Sequence, residues 1–480
     1  MNSVLDNAEI KVKCQKFTPS EYVNIMLDLA GYKSDLCGKK ILESSFGSGN
    51  ILKIIVERYI RDCKGKELSS QAISRGLERD IVGIELDPIL FESCKKDLDG
   101  IVKSYSLPDV SWNLHNGDAL FQKFGIQFDF IIGNPPYVAY AELQATTRNS
   151  IKEAYETCSL GKFDYCYAFI EMGIMHLTPR GRMVQLVPSN IYKNVFASKL
   201  RKMLKDHVAV IFDYPAQKIF KDALTSSSIF LYDKSNTKKF FYYENKTVGS
   251  RAKISKNTLS EKWEFRKREK NNLKSQIRFG DLFNVSMVVA TLLNRAFIIE
   301  SGELDSISIE PEMVRKAVSP RSIRYKKNEY IIFPYLYEKG RLVRFCSEEF
   351  EARYPLTSQY LKAYLKDLKK RKSDKSVQWF EYGRTQALTH LNQEKILLST
   401  IVTSKVEFTR LAKDIIPYSG MYIIPKSENS LACAEKILTS IQFEKYVRDI
   451  GISVSGRSVR ITSKDISNFK FVRGELTWNS

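Results

Sequence analysis

The chain has 480 residues, of which 75 are Lys or Arg and 55 are Asp or Glu, so its formal net charge is +20. This length predicts two or three domains, each large enough to bury a core. A mean hydropathy of −0.28 and the lack of a long uncharged apolar run exclude an integral membrane protein. The N-terminal residues predict no signal peptide. The 8 cysteines form no Cys-x-x-Cys pair, which predicts neither a disulfide framework nor structural zinc and favours a reducing, cytoplasmic location.

The charge is distributed unevenly along the chain. Residues 1–200 contain 24 basic and 24 acidic residues, so the whole positive excess lies in residues 201–480. This asymmetry predicts a neutral catalytic half and a second half that binds a polyanion. The alternative is an ordinary solvated surface with basic runs such as the one at 369–372. Charge alone does not distinguish DNA from RNA or from an anionic membrane.

Seven short apolar runs in the first half predict β-strands. Helical patterns, for example at 51–59 and 166–174, lie between several of them. Alternating strands and helices predict a doubly wound α/β sheet whose ligand sites lie at the carboxyl ends of the strands. The predicted strands are 40–42, 81–85, 111–114, 128–133, 182–187, 208–212 and 227–232.

A change in composition predicts a domain junction. Residues 233–262 are polar, basic and rich in Ser and Asn, so we place the junction near 240–255. The predicted domains are therefore a catalytic domain at 1–245 and a basic, mixed α+β domain at 246–480.

Three strand ends carry residues suited to a nucleoside ligand. The first strand ends in Glu43 and enters a Gly-x-Gly turn at Gly47, where small residues let a ligand approach the backbone. The second strand ends in Glu85, where nucleoside-binding α/β folds accept hydrogen bonds from ribose hydroxyls. Asp118 follows the third strand and can accept from an exocyclic amine. Each of these residues also has an ordinary explanation as a turn or a solvated strand end.

The fourth strand leads into a more specific motif. Residues 128–133 continue directly into Asn134-Pro135-Pro136-Tyr137. The two prolines fix the loop and remove two N–H donors. The side chain of Asn134 and the carbonyl of Pro135 supply acceptors, and Tyr137 supplies a flat face. This combination suits a planar base with an –NH₂ group, because two hydrogen bonds from the amine draw its lone pair out of conjugation and make the nitrogen nucleophilic.

The order of these motifs resembles the S-adenosylmethionine-dependent amino-methyltransferases. It is most similar to the gamma class of DNA adenine-N6 methyltransferases from restriction–modification systems, in which the cofactor region precedes the catalytic loop and a target recognition domain follows. The resemblance covers about residues 15–232 and implies a Rossmann-like, seven-stranded methyltransferase sheet. Further segments that carry it are 15–19, 164–171, 181–188 and 219–232.

The resemblance also implies roles for individual residues. Asn134 and Pro135 polarise the target amine next to Tyr137, and Tyr137 and Phe220 stack on the flipped-out base. No metal is implied. The cofactor, S-adenosyl-L-methionine, is held by Phe17, Thr18, Glu43, Gly47, Glu85, Asp118 and Phe169.

The C-terminal half contains a segment that allows two interpretations. Arg384 and Gln386 have the chemistry to read guanine and adenine edges in DNA. Alternatively, the aromatic residues at 379, 380 and 382 belong to the core and Arg384 is an ion-pair partner. Residues 451–471 resemble the end of recognition domains in this family.

Together these features predict a site-specific methyltransferase that transfers a methyl group to N6 of adenine in double-stranded DNA. We expect a monomer that serves as the modification component of a type II system, with a separate cognate endonuclease, because no nuclease pattern is visible. The acceptor alternatives are cytosine N4, an RNA base and a protein glutamine. There are two further alternatives. One is a single chain that carries a nuclease as well as the methyltransferase, and the other is a catalytically inactive DNA-binding subunit.

Overall fold

The computed structural model describes residues 17–215, 219, 226–265, 276–455, 458–472, 474 and 476–477. Within them the chain forms two compact units: residues up to 265 together with 452–455, and the remaining residues from 276 onwards. The first unit continues past residue 245, the predicted end of the catalytic domain, because the strand Phe240–Asn245 pairs with the next strand, Ser250–Ser255. Phe220 lies outside the described residues.

In the first unit, all seven predicted apolar runs form strands of one sheet. The described residues place nine strands in this sheet, in the order β3-β2-β1-β4-β5-β7-β6-β8-β9, so two strands extend the predicted seven. The strands are β1 Ile41–Glu43, β2 Ile81–Glu85, β3 Asn113–Asn116, β4 Phe128–Gly133, β5 Leu177–Pro188, β6 Val208–Tyr214, β7 Ser227–Asp233, β8 Phe240–Asn245 and β9 Ser250–Ser255.

The direction of the strands determines where the motifs meet. β1 pairs in parallel with β2 and β4, and β2 with β3 and β4 with β5 are also parallel pairs. β7 is antiparallel to both β5 and β6. Because the carboxyl ends of parallel strands lie at one edge of a sheet, the segments that follow β1 to β5 lie along the same edge.

Helices cover both faces of this sheet. One apolar cluster packs the four helices within 20–104 against strand residues such as Ile41 and Ile132. The other packs the three helices within 145–205 against strand residues such as Leu42 and Ile131. The neighbouring residues of each strand thus point to opposite cores, as in a doubly wound fold. The helices are α1 Ser20–Ala30, α2 Asn50–Gly65, α3 Ser70–Asp80, α4 Pro88–Ser104, α5 Ala145–Ala154, α6 Cys166–His176 and α7 Ser198–Lys205.

The second unit is built from small sheets and short helices. Two four-stranded sheets have the orders β11-β21-β17-β19 and β12-β14-β13-β20, and short strand pairs accompany them. Two apolar clusters fill its interior, one of them centred on aromatic residues that include Phe380 and Tyr382. This mixed α+β architecture agrees with the predicted second domain.

The remaining strands and α-helices of the described residues belong to the second unit, except for the strand 452–455 of the first. The strands are β10 Ile277–Arg278, β11 Phe283–Met287, β12 Ile298–Glu300, β13 Val314–Val318, β14 Glu329–Ile332, β15 Leu336–Glu338, β16 Arg341–Val343, β17 Lys395–Leu398, β18 Ile401–Val402, β19 Phe408–Leu411, β20 Ile416–Pro417, β21 Met421–Pro425, β22 Ile452–Ser455, β23 Ser458–Arg460 and β24 Lys470–Phe471. The helices are α8 Phe279–Leu282, α9 Asn294–Phe297, α10 Ser301–Leu304, α11 Pro320–Arg324, α12 Ser347–Arg353, α13 Pro355–Lys362, α14 Leu365–Lys370, α15 Leu431–Leu438, α16 Ile441–Ile450 and α17 Ser463–Ser467. No helix in the described part of the chain is long and apolar enough to cross a membrane.

Candidate active site

A cleft opens at the carboxyl edge of the large sheet in the first unit. It holds about 1260 Å³ of empty space, part of which is open to solvent. It lies where open α/β sheets bind their ligands, outside the carboxyl ends of the strands. Its walls come from the segments that follow β1, β2, β3 and β4, together with residues 17–18 and the aromatic side chains of Tyr165 and Phe169.

The Gly-rich turn after β1 adopts a backbone that favours glycine. Gly47 has φ +55° and Gly49 has φ +78°, both in the left-handed region. A Cβ on Gly49 would also lie 2.2 Å from Sγ of the buried Cys94. Gly49 is therefore required by both conformation and packing, whereas Gly47, which lines the cleft, is required only by conformation.

Glu43 is a buried acid at the start of this turn. Its side chain is 1% exposed, and burial together with the neighbouring Glu85 raises the pKa of its carboxyl well above the usual range. One oxygen accepts the backbone N–H of Leu52, but Oε2 has no hydrogen-bond partner among the described residues. A buried acceptor without a donor is costly, so it indicates a place where a ligand donates.

Glu85 connects two of the segments that line the cleft. Its Oε2 accepts from the backbone N–H of Gly47 at 2.8 Å, and its Oε1 accepts from that of Asp87 at 2.8 Å. Burial raises the pKa of this carboxyl, and these two N–H groups oppose the rise. A carboxylate has about four acceptor positions, so Glu85 keeps capacity for the hydroxyls of a ribose.

The remaining predicted cofactor residues complete the walls of the cleft. Asp118 accepts the N–H of Leu120 at 3.0 Å through Oδ1, and burial raises the pKa of its carboxyl. The ring of Phe169 is 5% exposed and packs edge to face on Tyr165. Phe17, by contrast, is 51% exposed. The site therefore combines one buried and two half-buried carboxylates with an aromatic wall and one exposed ring near the opening.

The catalytic loop forms the other side of the cleft. Asn134, Pro135 and Tyr137 all line it. Nδ2 of Asn134 donates to Oγ1 of the buried Thr18 at 3.2 Å, which turns the amide oxygen away from Thr18. The hydroxyl of Tyr137 donates to the carbonyl of Leu186, on β5, at 2.8 Å and so anchors the far end of its ring.

The structure brings ten of the thirteen predicted site residues into one cleft. Arg384 and Gln386 belong to the second unit, where Arg384 forms the ion pair with Asp374 that the alternative interpretation predicts. Phe380 and Tyr382 are core residues, also as that interpretation predicts. Phe220 is not among the described residues. The ten residues are Phe17, Thr18, Glu43, Gly47, Glu85, Asp118, Asn134, Pro135, Tyr137 and Phe169.

Other residues of the site did not stand out in the sequence. Tyr165, Leu143 and Thr147 line the cleft, the last of them from α5. Tyr165 lies in the segment 164–171 that carries part of the resemblance, so an aromatic residue there was a usable signal. Leu143 and Thr147 belong to no recognisable sequence motif. They reach the cleft only because of the path that the chain takes after the catalytic loop.

Comparisons with known proteins show which families the chain resembles. Residues 79–220 match the family model described as Eco57I restriction-modification methylase. The Type II restriction enzyme and methyltransferase RM.Eco57I of Escherichia coli is 26% identical over 396 residues, which cover 71% of this chain and 40% of the relative. The Type II methyltransferase M.PaeR7I of Pseudomonas aeruginosa is 30% identical over 213 residues, which cover 41% of this chain and 36% of the relative. The chain thus spans less than half the length of these relatives.

Solved structures extend the comparison to the fold. The structure of the Type IIL restriction-modification enzyme MmeI in complex with DNA matches 94% of this chain and 65% of its own with a TM-score of 0.62 at 12% identity. The resemblance to DNA methyltransferases of restriction–modification systems and the α/β methyltransferase fold are confirmed. The gamma class and the adenine N6 acceptor stay predictions.

S-adenosyl-L-methionine is the expected cofactor, and the residues of the cleft fit it. The partnerless Oε2 of Glu43, the spare acceptor positions of Glu85 and the ring of Phe169 suit a ligand with several N–H and O–H donors and an adenine plane. Within the described residues, no group of three or more His, Cys, Asp or Glu side chains could hold a metal ion.

Proposed function

We propose that the chain is a site-specific DNA methyltransferase of a restriction–modification system that methylates N6 of adenine in duplex DNA. The observation that supports this best is the shared cleft: the loop from Asn134 to Tyr137 opens into the same space as Glu43, Glu85 and Asp118. A methyl donor and a planar amine can therefore meet there, and holding two reactants together supplies a large part of a rate enhancement.

Different residues of the loop have different roles in the proposed reaction. Oδ1 of Asn134 and the carbonyl of Pro135 accept the two hydrogens of the amine, which directs the lone pair of the nitrogen into the cleft. S-adenosylmethionine, held by Glu43, Glu85 and Asp118, would supply the methyl group from its sulfonium and leave as the neutral thioether S-adenosylhomocysteine. The methylated nitrogen then carries an acidic proton, which water accepts, so the site needs no strong general base.

The ring of Tyr137 is the proposed stacking surface for the flipped-out base, and Phe220, which lies outside the described residues, stays the predicted second stacking residue. Because its hydroxyl is bonded to the carbonyl of Leu186, the ring is held without further ordering when the base arrives. Flipping costs a few kcal/mol, and stacking on an aromatic ring returns about 1–3 kcal/mol per base.

The cellular setting is also part of the proposal. We expect a cytoplasmic monomer that protects DNA, with cleavage performed by a separate cognate endonuclease. The name of RM.Eco57I includes a restriction enzyme, so cleavage by this chain is the alternative to test. Incubation with duplex DNA, Mg²⁺ and S-adenosylmethionine should leave the DNA intact, and cut fragments would refute a separate endonuclease.

Mass spectrometry of nucleosides tests the acceptor. Unmodified duplex DNA is incubated with the full chain and S-adenosylmethionine carrying an isotopically labelled methyl group, and labelled N6-methyldeoxyadenosine is expected. Asn134→Ala should lower the rate about 10²–10³-fold, the usual cost of removing one preorganised hydrogen-bonding group. Asn257→Ala, at an exposed position in a 3₁₀ turn after β9, is the matched control and should keep the activity.

The other outcomes separate the alternatives. Labelled N4-methylcytosine would move the acceptor to cytosine. No labelled nucleoside from DNA, in the presence of demonstrated cofactor binding, would refute the DNA substrate and direct the search to RNA and to protein glutamine.

A further inference from the structure

A basic segment of the second unit has an unusual arrangement of partners. Between residues 366 and 386 there are three acidic residues, and each is paired with an arginine. Asp367 pairs with Arg295 at 2.6 Å, Asp374 with Arg384, and Glu381 with Arg344 at 2.5 Å. The five lysines of the segment are exposed, and none forms an ion pair with a described residue. These lysines, the lysine face, are Lys366, Lys369, Lys370, Lys372 and Lys375.

One arginine fixes the direction of this face. Arg371 points inward and donates to the carbonyls of Leu368, Thr291, Trp379 and Glu381 at 2.5–3.1 Å. Burial lowers the pKa of its guanidinium, and four carbonyl acceptors replace the water it loses. Since Arg371 anchors the segment from inside, the neighbouring Lys370 and Lys372 are held outward.

A second anchor holds the other end of the segment. Arg344 donates to both oxygens of Glu381, which is fully buried, and also to the carbonyl of Ser376 at 2.6 Å. The N–H of Gln378 donates to Glu381 at 2.7 Å. The exposed charges therefore sit on a backbone that is already ordered, so little conformational entropy is lost when they bind a partner.

Asp374 lies beside the lysine face and contacts both predicted base readers. Its Oδ1 accepts from Nη1 of Arg384, its Oδ2 accepts from Nε2 of Gln386 at 3.4 Å, and its own N–H donates to the carbonyl of Gly383 at 3.0 Å. The side chain of Arg384 is still 51% exposed. Because a guanidinium has five N–H donors, Arg384 retains donors for a partner while Asp374 holds it.

We propose that this face of the second unit is the surface on which the chain binds duplex DNA, and that Asp374 positions Arg384 and Gln386 to read base edges. The lysines contact phosphates, which orients the duplex without reading its sequence. A carboxylate next to Arg384 keeps phosphates away from it and leaves its free donors for bases. The proposal rests on the proposed function, because it assumes that the polyanion is the DNA substrate.

The salt dependence of binding tests the lysine face. Binding of the full chain to a fluorescein-labelled DNA duplex is measured by anisotropy between about 50 and 200 mM salt. Lys369→Gln with Lys370→Gln should reduce the slope of log affinity against log salt by about 1.8, since each lost phosphate contact removes about 0.9. The matched control is Lys95→Gln with Lys96→Gln, an exposed adjacent pair on α4 with the same loss of charge.

The outcomes of this measurement are distinct. Equal slopes for the two double variants, with unchanged thermal unfolding, would refute the lysine face while leaving the methyltransferase proposal intact. A wild-type chain that binds no duplex would contradict the proposed function itself. An unlabelled RNA duplex that competes as well as DNA would refute DNA as the partner of this face.

Methylation mapping tests Asp374. Asp374→Asn keeps the shape of the side chain but removes the charge that holds Arg384. We expect the preference for one base within the recognition site to fall about tenfold, with a partial return in Asp374→Glu. A merely structural role would lower methylation of all sites equally, so an unchanged ratio between cognate and near-cognate sites would overturn the assignment.

Discussion

Most candidate site residues of the first unit are buried or half-buried, whereas the candidate DNA-contacting residues of the second unit are exposed. In the cleft, Glu43 and Thr18 are only 1% and 3% exposed, whereas the side chain of Arg384 is 51% exposed. The cleft surrounds a small ligand, so its carboxylates work where water is largely excluded and their pKa values rise. The lysine face is proposed to bind a large polyanion, so its charges should remain hydrated until binding and its affinity should depend on salt.

The two units also hold their functional groups in place by different means. In the first unit, parallel strands place their carboxyl ends next to one another, and the segments that follow these strands therefore lie at the same edge of the sheet. In the second unit no such edge exists among the residues 366–386. There Arg371 donates to backbone carbonyls, and Arg344, whose side chain is 36% exposed, donates to the buried Glu381. Loss of these arginine contacts should therefore affect the folding of the second unit, whereas loss of a cleft carboxylate should affect ligand binding.

The largest expected effect concerns the internal anchor of the second unit. Arg344→Met leaves the carboxylate of Glu381, which is fully buried, without its cation, so the free energy of unfolding should fall by about 3 kcal/mol. Arg384→Met should cost at most about 1 kcal/mol, because the ion pair with Asp374 is partly exposed. Hydrogen exchange in peptides that cover 376–386 measures both.

The double variant Arg344→Met, Glu381→Leu provides the control for this prediction. It removes the uncompensated charge and should recover most of the lost stability. If Arg344→Met and Arg384→Met are equally destabilised, then pairing with the fully buried Glu381 does not distinguish Arg344 from Arg384.

A smaller effect is expected at the ribose position of the cleft. Glu85→Gln retains one acceptor oxygen but removes the charge, and a hydrogen bond to a charged group contributes about 1.5–3 kcal/mol. The dissociation constant for S-adenosylmethionine should rise at least about tenfold, which isothermal titration calorimetry measures. Asp99→Asn, whose Oδ1 accepts from Trp112 away from the cleft, is the control and should bind the cofactor normally.

The same residue gives cofactor binding a pH dependence of defined sign. Burial raises the pKa of the Glu85 carboxyl, so this group takes up a proton at a higher pH than an ordinary glutamate. Protonation removes acceptor capacity, and affinity should fall as the pH drops through the raised pKa. Glu85→Gln should remove that part of the dependence, and an unchanged profile in the variant would exclude Glu85 as its origin.

The smallest effect is expected where the two sides of the cleft touch. Thr18→Val removes the acceptor of Asn134 Nδ2 without changing the size of the side chain, and a neutral hydrogen bond contributes about 1 kcal/mol. The kcat of methyl transfer should therefore fall about fivefold, and Thr18→Ser should restore it. A fall in cofactor affinity with an unchanged kcat would show that Thr18 acts only on the cofactor.

The sheet shows which parts of a fold local patterns can predict. All seven apolar runs of the first half are strands, because buried strands need continuous apolar residues. β8 and β9 were not predicted, because they lie within residues 233–262, whose polar, basic composition indicated a domain junction. Their aromatic residues are covered by cations instead: Nζ of Lys253 lies 3.7 Å from the ring centroid of Phe240. Only Phe241 and Ile254 of this pair are buried, so most of its residues are half-buried or exposed and the surrounding polar composition dominates the pattern.

The segments of the cleft could be read in sequence order because each follows directly from its own strand. A strand, its terminal acid and the turn after it are contiguous in sequence. The positions of Glu43, Glu85 and the loop at Asn134 therefore follow from the strand that directly precedes each of them. The contacts between segments could not be read in this way. Thr18 and Asn134 are 116 residues apart, and the partners of Arg371 range from Thr291 to Glu381. Only the packed chain brings such groups within a hydrogen-bond length, because the pairing depends on the path of every element between them.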